Sequence, residues 1–138
     1  RPPAGFLRPA IMPKATTYRD HAHARVYLSW LNKPAWRTMS LAGRCLLIEM
    51  MADYRGPGSG NRTFRWSCRR AAKALGISKT TGARALIELE TRGWIVVVKV
   101  AGFGGRNKPA EYRLTMFPCD VSGEPASRAF ERWEVQRN

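Results

Sequence analysis

The chain has 138 residues, enough for one ordinary domain and too few for an enzyme built from separate cofactor and substrate halves. Hydrophobic residues make up 44% of it and aromatic residues 10%, which suffices for a core and argues against a disordered chain. Its 24 Lys and Arg against 10 Asp and Glu leave a formal net charge of +14, and that excess points to polyanionic partners, either nucleic acid or an acidic membrane surface.

No apolar run reaches the roughly 18 to 20 residues that span a bilayer, and the start, Arg1-Pro2-Pro3-Ala4-Gly5, lacks the apolar centre of a secretory signal. The expectation is a cytoplasmic protein with no membrane partner. Residue 1 is Arg rather than Met, which fits a processed chain or a piece of a longer one. Cys45, Cys68 and Cys119 are odd in number and far apart, so reduced thiols are expected rather than disulfides or a zinc site. His21 and His23 alone are too few to hold a metal, and neither metal nor cofactor is expected.

Residues 1–24 carry four prolines among scattered Arg and Lys and are expected to form a basic arm. Residues 25–117 hold the folded domain. Its first element, from Arg25 to Trp36, is an apolar helix or strand stopped at Asn32-Lys33-Pro34. Ser40 then caps a core helix through Leu41, Leu46 and Met50 toward Tyr54, followed by a loop from Arg55 to Asn61 rich in Gly and Pro. Thr63 to Trp66 alternates polar and aromatic residues as a short strand does.

Ser67 opens a second helix that Gly76 ends, and Ser78 opens a third within three residues, running from Lys79 to about Arg92 before Gly93. Trp94 to Val100 is β-branched enough for a strand, Ala101 to Pro109 is a glycine-rich basic loop, and Glu111 to Thr115 returns as the partner strand. Residues 118–138 form a tail in which Ala126, Phe130 and Trp133 fall at helical spacing, a short helix within a final segment of about a dozen residues. That helix docks either on the body or on a second subunit, and the N-terminal segment is the other candidate for a homodimer contact.

The order helix, short strand, helix, tight turn, helix, hairpin, together with Ser78 to Ile95, resembles the winged helix-turn-helix family of small bacterial, phage and plasmid proteins. The run Ser78-Lys79-Thr80-Thr81-Gly82-Ala83-Arg84 leading to Leu89-Glu90-Thr91-Arg92-Gly93-Trp94-Ile95 carries the likeness, with Pro34-Ala35-Trp36-Arg37 and Leu46-Leu47 upstream. The resemblance spans about two thirds of the chain, roughly residues 25 to 116. It implies a mainly helical α+β fold with a two-stranded wing and a short extra strand. One departure is Gly82, where the family usually has a buried valine; a glycine there costs about 1 kcal/mol of helix propensity relative to Ala and either admits the second helix or loosens the third.

On an ideal helix Gly82, Ala85, Leu86 and Leu89 share one side, and Lys79, Thr80, Ala83, Arg84 and Ile87 face away from it. A helix in the DNA major groove brings its first turns nearest the bases, so Lys79, Thr80 and Arg84 are the expected base contacts, with Arg84 suited to guanine. Arg65, Ser67, Arg69, Arg70, Lys73, Ser78 and Thr81 are expected at the phosphates, and Arg106, Asn107 and Lys108 at the wing tip, on the backbone or in the minor groove. Residues 62–108 hold eleven basic and two acidic residues, a net +9 of the total +14.

The ten carboxylates form no catalytic or metal-holding motif and no Gly-Lys-Ser/Thr phosphate loop occurs, so no enzyme is expected. The function these residues imply is sequence-specific binding of double-stranded DNA by a transcription regulator. A replication or partition protein of a plasmid or phage is the first alternative. A protein-interaction module of the same fold is the second, and RNA binding is weaker because no aromatic stacking platform is evident.

Overall fold

Three serines set where the three longest helices begin. In the computed structural model, which describes residues 23–53, 64–102, 108–118 and 123–136, a single turn α1 (Pro34–Arg37) precedes α2 (Leu41–Met51), α3 (Cys68–Leu75) and α4 (Lys79–Thr91). The Ser40 hydroxyl accepts from the Gly43 N–H at 3.0 Å, Ser67 from Arg70 at 2.9 Å and Ser78 from Thr81 at 3.1 Å. Each hydroxyl satisfies an amide that the first turn leaves without a partner. The expected arm falls almost wholly outside the described residues.

The segment before α2 differs from expectation. A 3-10 turn, Leu28–Asn32, ends where predicted, but Pro34 opens a new helical turn instead of closing the old one. Its ring fixes φ near the helical value, and the missing N–H is not needed at a helix start.

Between α3 and α4, Gly76 adopts φ 69°, and Ile77 donates its N–H to the Ala72 carbonyl at 3.0 Å, closing the turn the sequence predicts. Gly82 admits the neighbouring helix: a Cβ there would lie 3.0 Å from the Cys68 carbonyl oxygen and 3.1 Å from the Ala72 nitrogen. The helix start is therefore a close crossing of two backbones.

β1 (Phe64–Trp66), β2 (Ile95–Lys99) and β3 (Ala110–Leu114) form an antiparallel sheet in the order β1-β3-β2. Arg65 pairs with Glu111 and Ile95 with Leu114, and the β2–β3 register shifts between Val97 and Lys99. Among the described residues the chain is thus an α+β fold of four α-helices and one three-stranded sheet.

The core joins Leu46, Leu47 and Met50 of α2 to Leu86 and Leu89 of α4 and Leu114 of β3. An aromatic roof closes it. Trp94 stacks on Phe130 at 4.0 Å with planes 6° apart, and Trp30 meets both edge-on at 5.0 and 5.6 Å. The Trp94 indole N–H donates to the Ala35 carbonyl at 3.3 Å, so the buried ring keeps its polar atom satisfied.

Among the described residues the C-terminal segment holds no α-helix, where the sequence suggested a short one. A 3-10 turn, Ala129–Arg132, stands in its place, entered through Arg128 at φ 49°. The Arg128 N–H is held by the Thr115 carbonyl at 3.0 Å, and Gly93 passes so close that a Cβ on it would lie 2.8 Å from the Phe130 nitrogen. Phe130 is 1% exposed and packs in this chain's own core, the docking on the body that is one of its two expected readings. Trp133 is half-buried beneath the Arg92 guanidinium, 4.7 Å from the ring centre.

Candidate nucleic-acid interface

The division of α4 into two faces follows its sequence. Gly82, Ala85, Leu86 and Leu89 are buried, while Lys79, Thr80 and Arg84 are exposed, Ala83 is half-buried and Ile87 is 61% exposed. Lys79 and Arg84 have no ion-pair partner among the described residues. On α3, Arg69 and Lys73 lie one turn apart, both exposed and likewise unpaired among the described residues.

Other cations expected at phosphates hold the fold together. Arg70 reaches back to Asp53, with Nη2 at 3.2 and 3.3 Å from the two carboxylate oxygens, and Nη1 donates to the Arg65 carbonyl at 2.5 Å. Its guanidinium carbon lies 3.8 Å from the Trp66 ring centre, and the Trp66 indole donates to the same Asp53 at 2.8 Å. A cation with its carboxylate, carbonyl and ring partners in place is a brace between α3, β1 and the end of α2, and its side chain remains 46% exposed. Arg65 pairs with Glu111 at 3.4 Å across the strands while remaining largely exposed.

The capping serines also have partners within the chain. Ser67 and Ser78 use their oxygens on helix amides, and the Ser78 hydroxyl donates to Thr81 Oγ1 at 3.0 Å, with Thr81 half-buried. These side chains bond locally and fix the starts of α3 and α4.

At the sheet hairpin, Lys108 is exposed, and its carbonyl accepts from the Gly102 N–H at 2.8 Å, closing the base of the loop. Arg106 and Asn107 lie outside the described residues.

One arrangement has no signal in the sequence. Ser40, which caps α2, donates its hydroxyl to Glu88 Oε1 at 2.6 Å and its N–H to Oε2 at 3.0 Å. Glu88 also pairs with Arg92 at 3.5 Å, and Arg92 donates to the hydroxyl and carbonyl of Thr38 at 3.3 and 3.2 Å. This network pins the second half of α4 to the α1–α2 junction and thereby aims its exposed face. Beside it runs a shallow groove lined by Ser40, Ala42, Thr81, Arg84, Ile87 and Thr91, among others.

Tyr112 on β3 has its hydroxyl pKa raised above 10.0, first by burial and then by the charges of Glu90 and Cys68. Among the described residues no helix is long and apolar enough to cross a membrane. No known protein family, curated protein or solved structure matches this chain.

Proposed function

We propose that this chain is a winged helix-turn-helix protein that binds duplex DNA and regulates transcription. In that reading α3 and α4 are the helix-turn-helix, the β2–β3 hairpin is the wing and β1 is the extra strand beside it. Lys79, Thr80 and Arg84 meet base edges in the major groove, and Arg69, Lys73 and Lys108 meet phosphates.

The observation that carries the proposal is the segregation of cations by role. Arg70 and Arg92 are tied into the fold by carboxylates and carbonyls, whereas Lys79, Arg84, Arg69 and Lys73 are exposed on α3 and α4 and unpaired among the described residues. Unpaired cations at a surface attract a polyanion and release its counterions on contact.

Fluorescence anisotropy on a pool of random duplexes at several salt concentrations tests it, with recovery and sequencing of the bound fraction. Affinity should fall steeply as salt rises, and a motif should be enriched. Weak, salt-insensitive association would reject the proposal in favour of a protein-binding role.

A further inference from the structure

The outward face of α4 is built from small or charged side chains with one exception. Ile87 is 61% exposed, a turn beyond Arg84, with Ala83 and Thr91 four residues to either side. Helical geometry places Ile87 near the middle of the arc that holds Lys79, Thr80 and Arg84, about 4.5 Å further along the axis than Arg84. A base-pair step advances by about 3.4 Å, so residues one helical turn apart meet adjacent base pairs. The groove beside Ile87 leaves its branched methyls open to a neighbouring group.

We propose that Ile87 is a specificity residue that packs against the C5-methyl of a thymine in the base pair next to the one contacted by Arg84. This inference rests on the duplex-DNA reading and narrows its target. Thymine is the base that presents a methyl group in the major groove, and an aliphatic side chain there favours it without a hydrogen bond. The exposed cations Lys79, Arg84, Arg69 and Lys73 favour a polyanion over an apolar protein as what covers this side chain.

The test begins with the duplex that the chain selects. Each thymine is replaced singly by deoxyuridine, which deletes the methyl and nothing else, and binding is measured for the wild type and for Ile87→Ala. At one thymine next to a guanine, loss of the methyl should weaken wild-type binding roughly fourfold, the effect of exposing one buried methyl. Ile87→Ala should bind the thymine and uracil duplexes equally. Ile87 is exposed, so the variant should melt as the wild type does, which circular dichroism verifies. A methyl effect of equal size in both proteins, or none at any thymine, overturns the inference and leaves DNA binding intact. Failure of the wild type to bind duplex DNA overturns both.

Discussion

Glu88 accepts two hydrogen bonds from Ser40, one from the hydroxyl at 2.6 Å and one from the backbone N–H at 3.0 Å. The residue that starts α2 therefore also holds α4, 48 positions later in the chain. Arg92 extends the tie to Thr38 and lies over Trp133. Both carboxylate oxygens are engaged on a side chain that is 17% exposed. Glu88→Ala should lower stability by about 0.5 to 1.5 kcal/mol, because it removes the acceptor of both Ser40 hydrogen bonds and the carboxylate beside the Arg92 guanidinium. Urea unfolding measures this, and an unchanged midpoint would show that the network contributes nothing.

Gly82→Ala sets helix propensity against packing. Propensity alone favours Ala by about 1 kcal/mol. The new Cβ, however, would press on the Cys68 carbonyl oxygen and the Ala72 nitrogen, backbone atoms of α3 that cannot rotate away. Overpacking of this kind costs about 1 to 3 kcal/mol, so the net effect should be a lower midpoint in thermal or urea unfolding. A stabilised Gly82→Ala protein would mean that α3 and α4 separate easily.

Arg84 and Arg70 should behave oppositely. Arg84→Ala should weaken binding to the selected duplex by about 1 to 3 kcal/mol with the melting temperature unchanged, since the side chain is exposed and unpaired among the described residues. Arg70→Ala should instead lower the melting temperature, because it removes the partner of Asp53 and the cation over Trp66. Paired melting curves and anisotropy titrations separate the two.

Phe130→Ala should be the most damaging change in the C-terminal segment. It empties the stack on Trp94 and the edge contact with Trp30, at about 3 to 5 kcal/mol for a buried aromatic. Denaturant unfolding followed by tryptophan fluorescence measures it. A loss below 1 kcal/mol would show that the segment is a dispensable tail.

The alkaline limb of stability should depend on Tyr112. Its folded pKa lies above the ordinary 10.0, so the folded state binds the proton more tightly than the unfolded chain does. The resulting stabilisation is complete below about pH 10 and is lost as pH rises from there through the folded value. Tyr112→Phe should flatten that loss in unfolding measured at stepped pH, and an identical alkaline limb would rule the tyrosine out as its source.

Much of the helical part was legible because the deciding interactions are local. Ser40, Ser67 and Ser78 act on amides three residues away, and Gly76 reverses the chain by its own φ. The buried and exposed faces of α4 follow from residue spacing alone. The rest depends on distant partners. The tie of Arg70 to Asp53, 17 residues earlier, has no local signal. Phe130 has helical spacing with Trp133, but Gly93 and Thr115 hold the chain in a single 3-10 turn, and no periodicity encodes that contact. The exposed face of α4 was visible in the sequence, while the brace behind it was not.

Duplex binding through the exposed face of α4 is tested by an amide NMR titration of the chain with its selected duplex at moderate salt. Perturbed resonances should concentrate between Lys79 and Ile87, with further changes near Arg69, Lys73 and Lys108. Perturbations centred instead on the Leu28–Asn32 turn or on residues 133–136, with α4 silent, would contradict binding through that face.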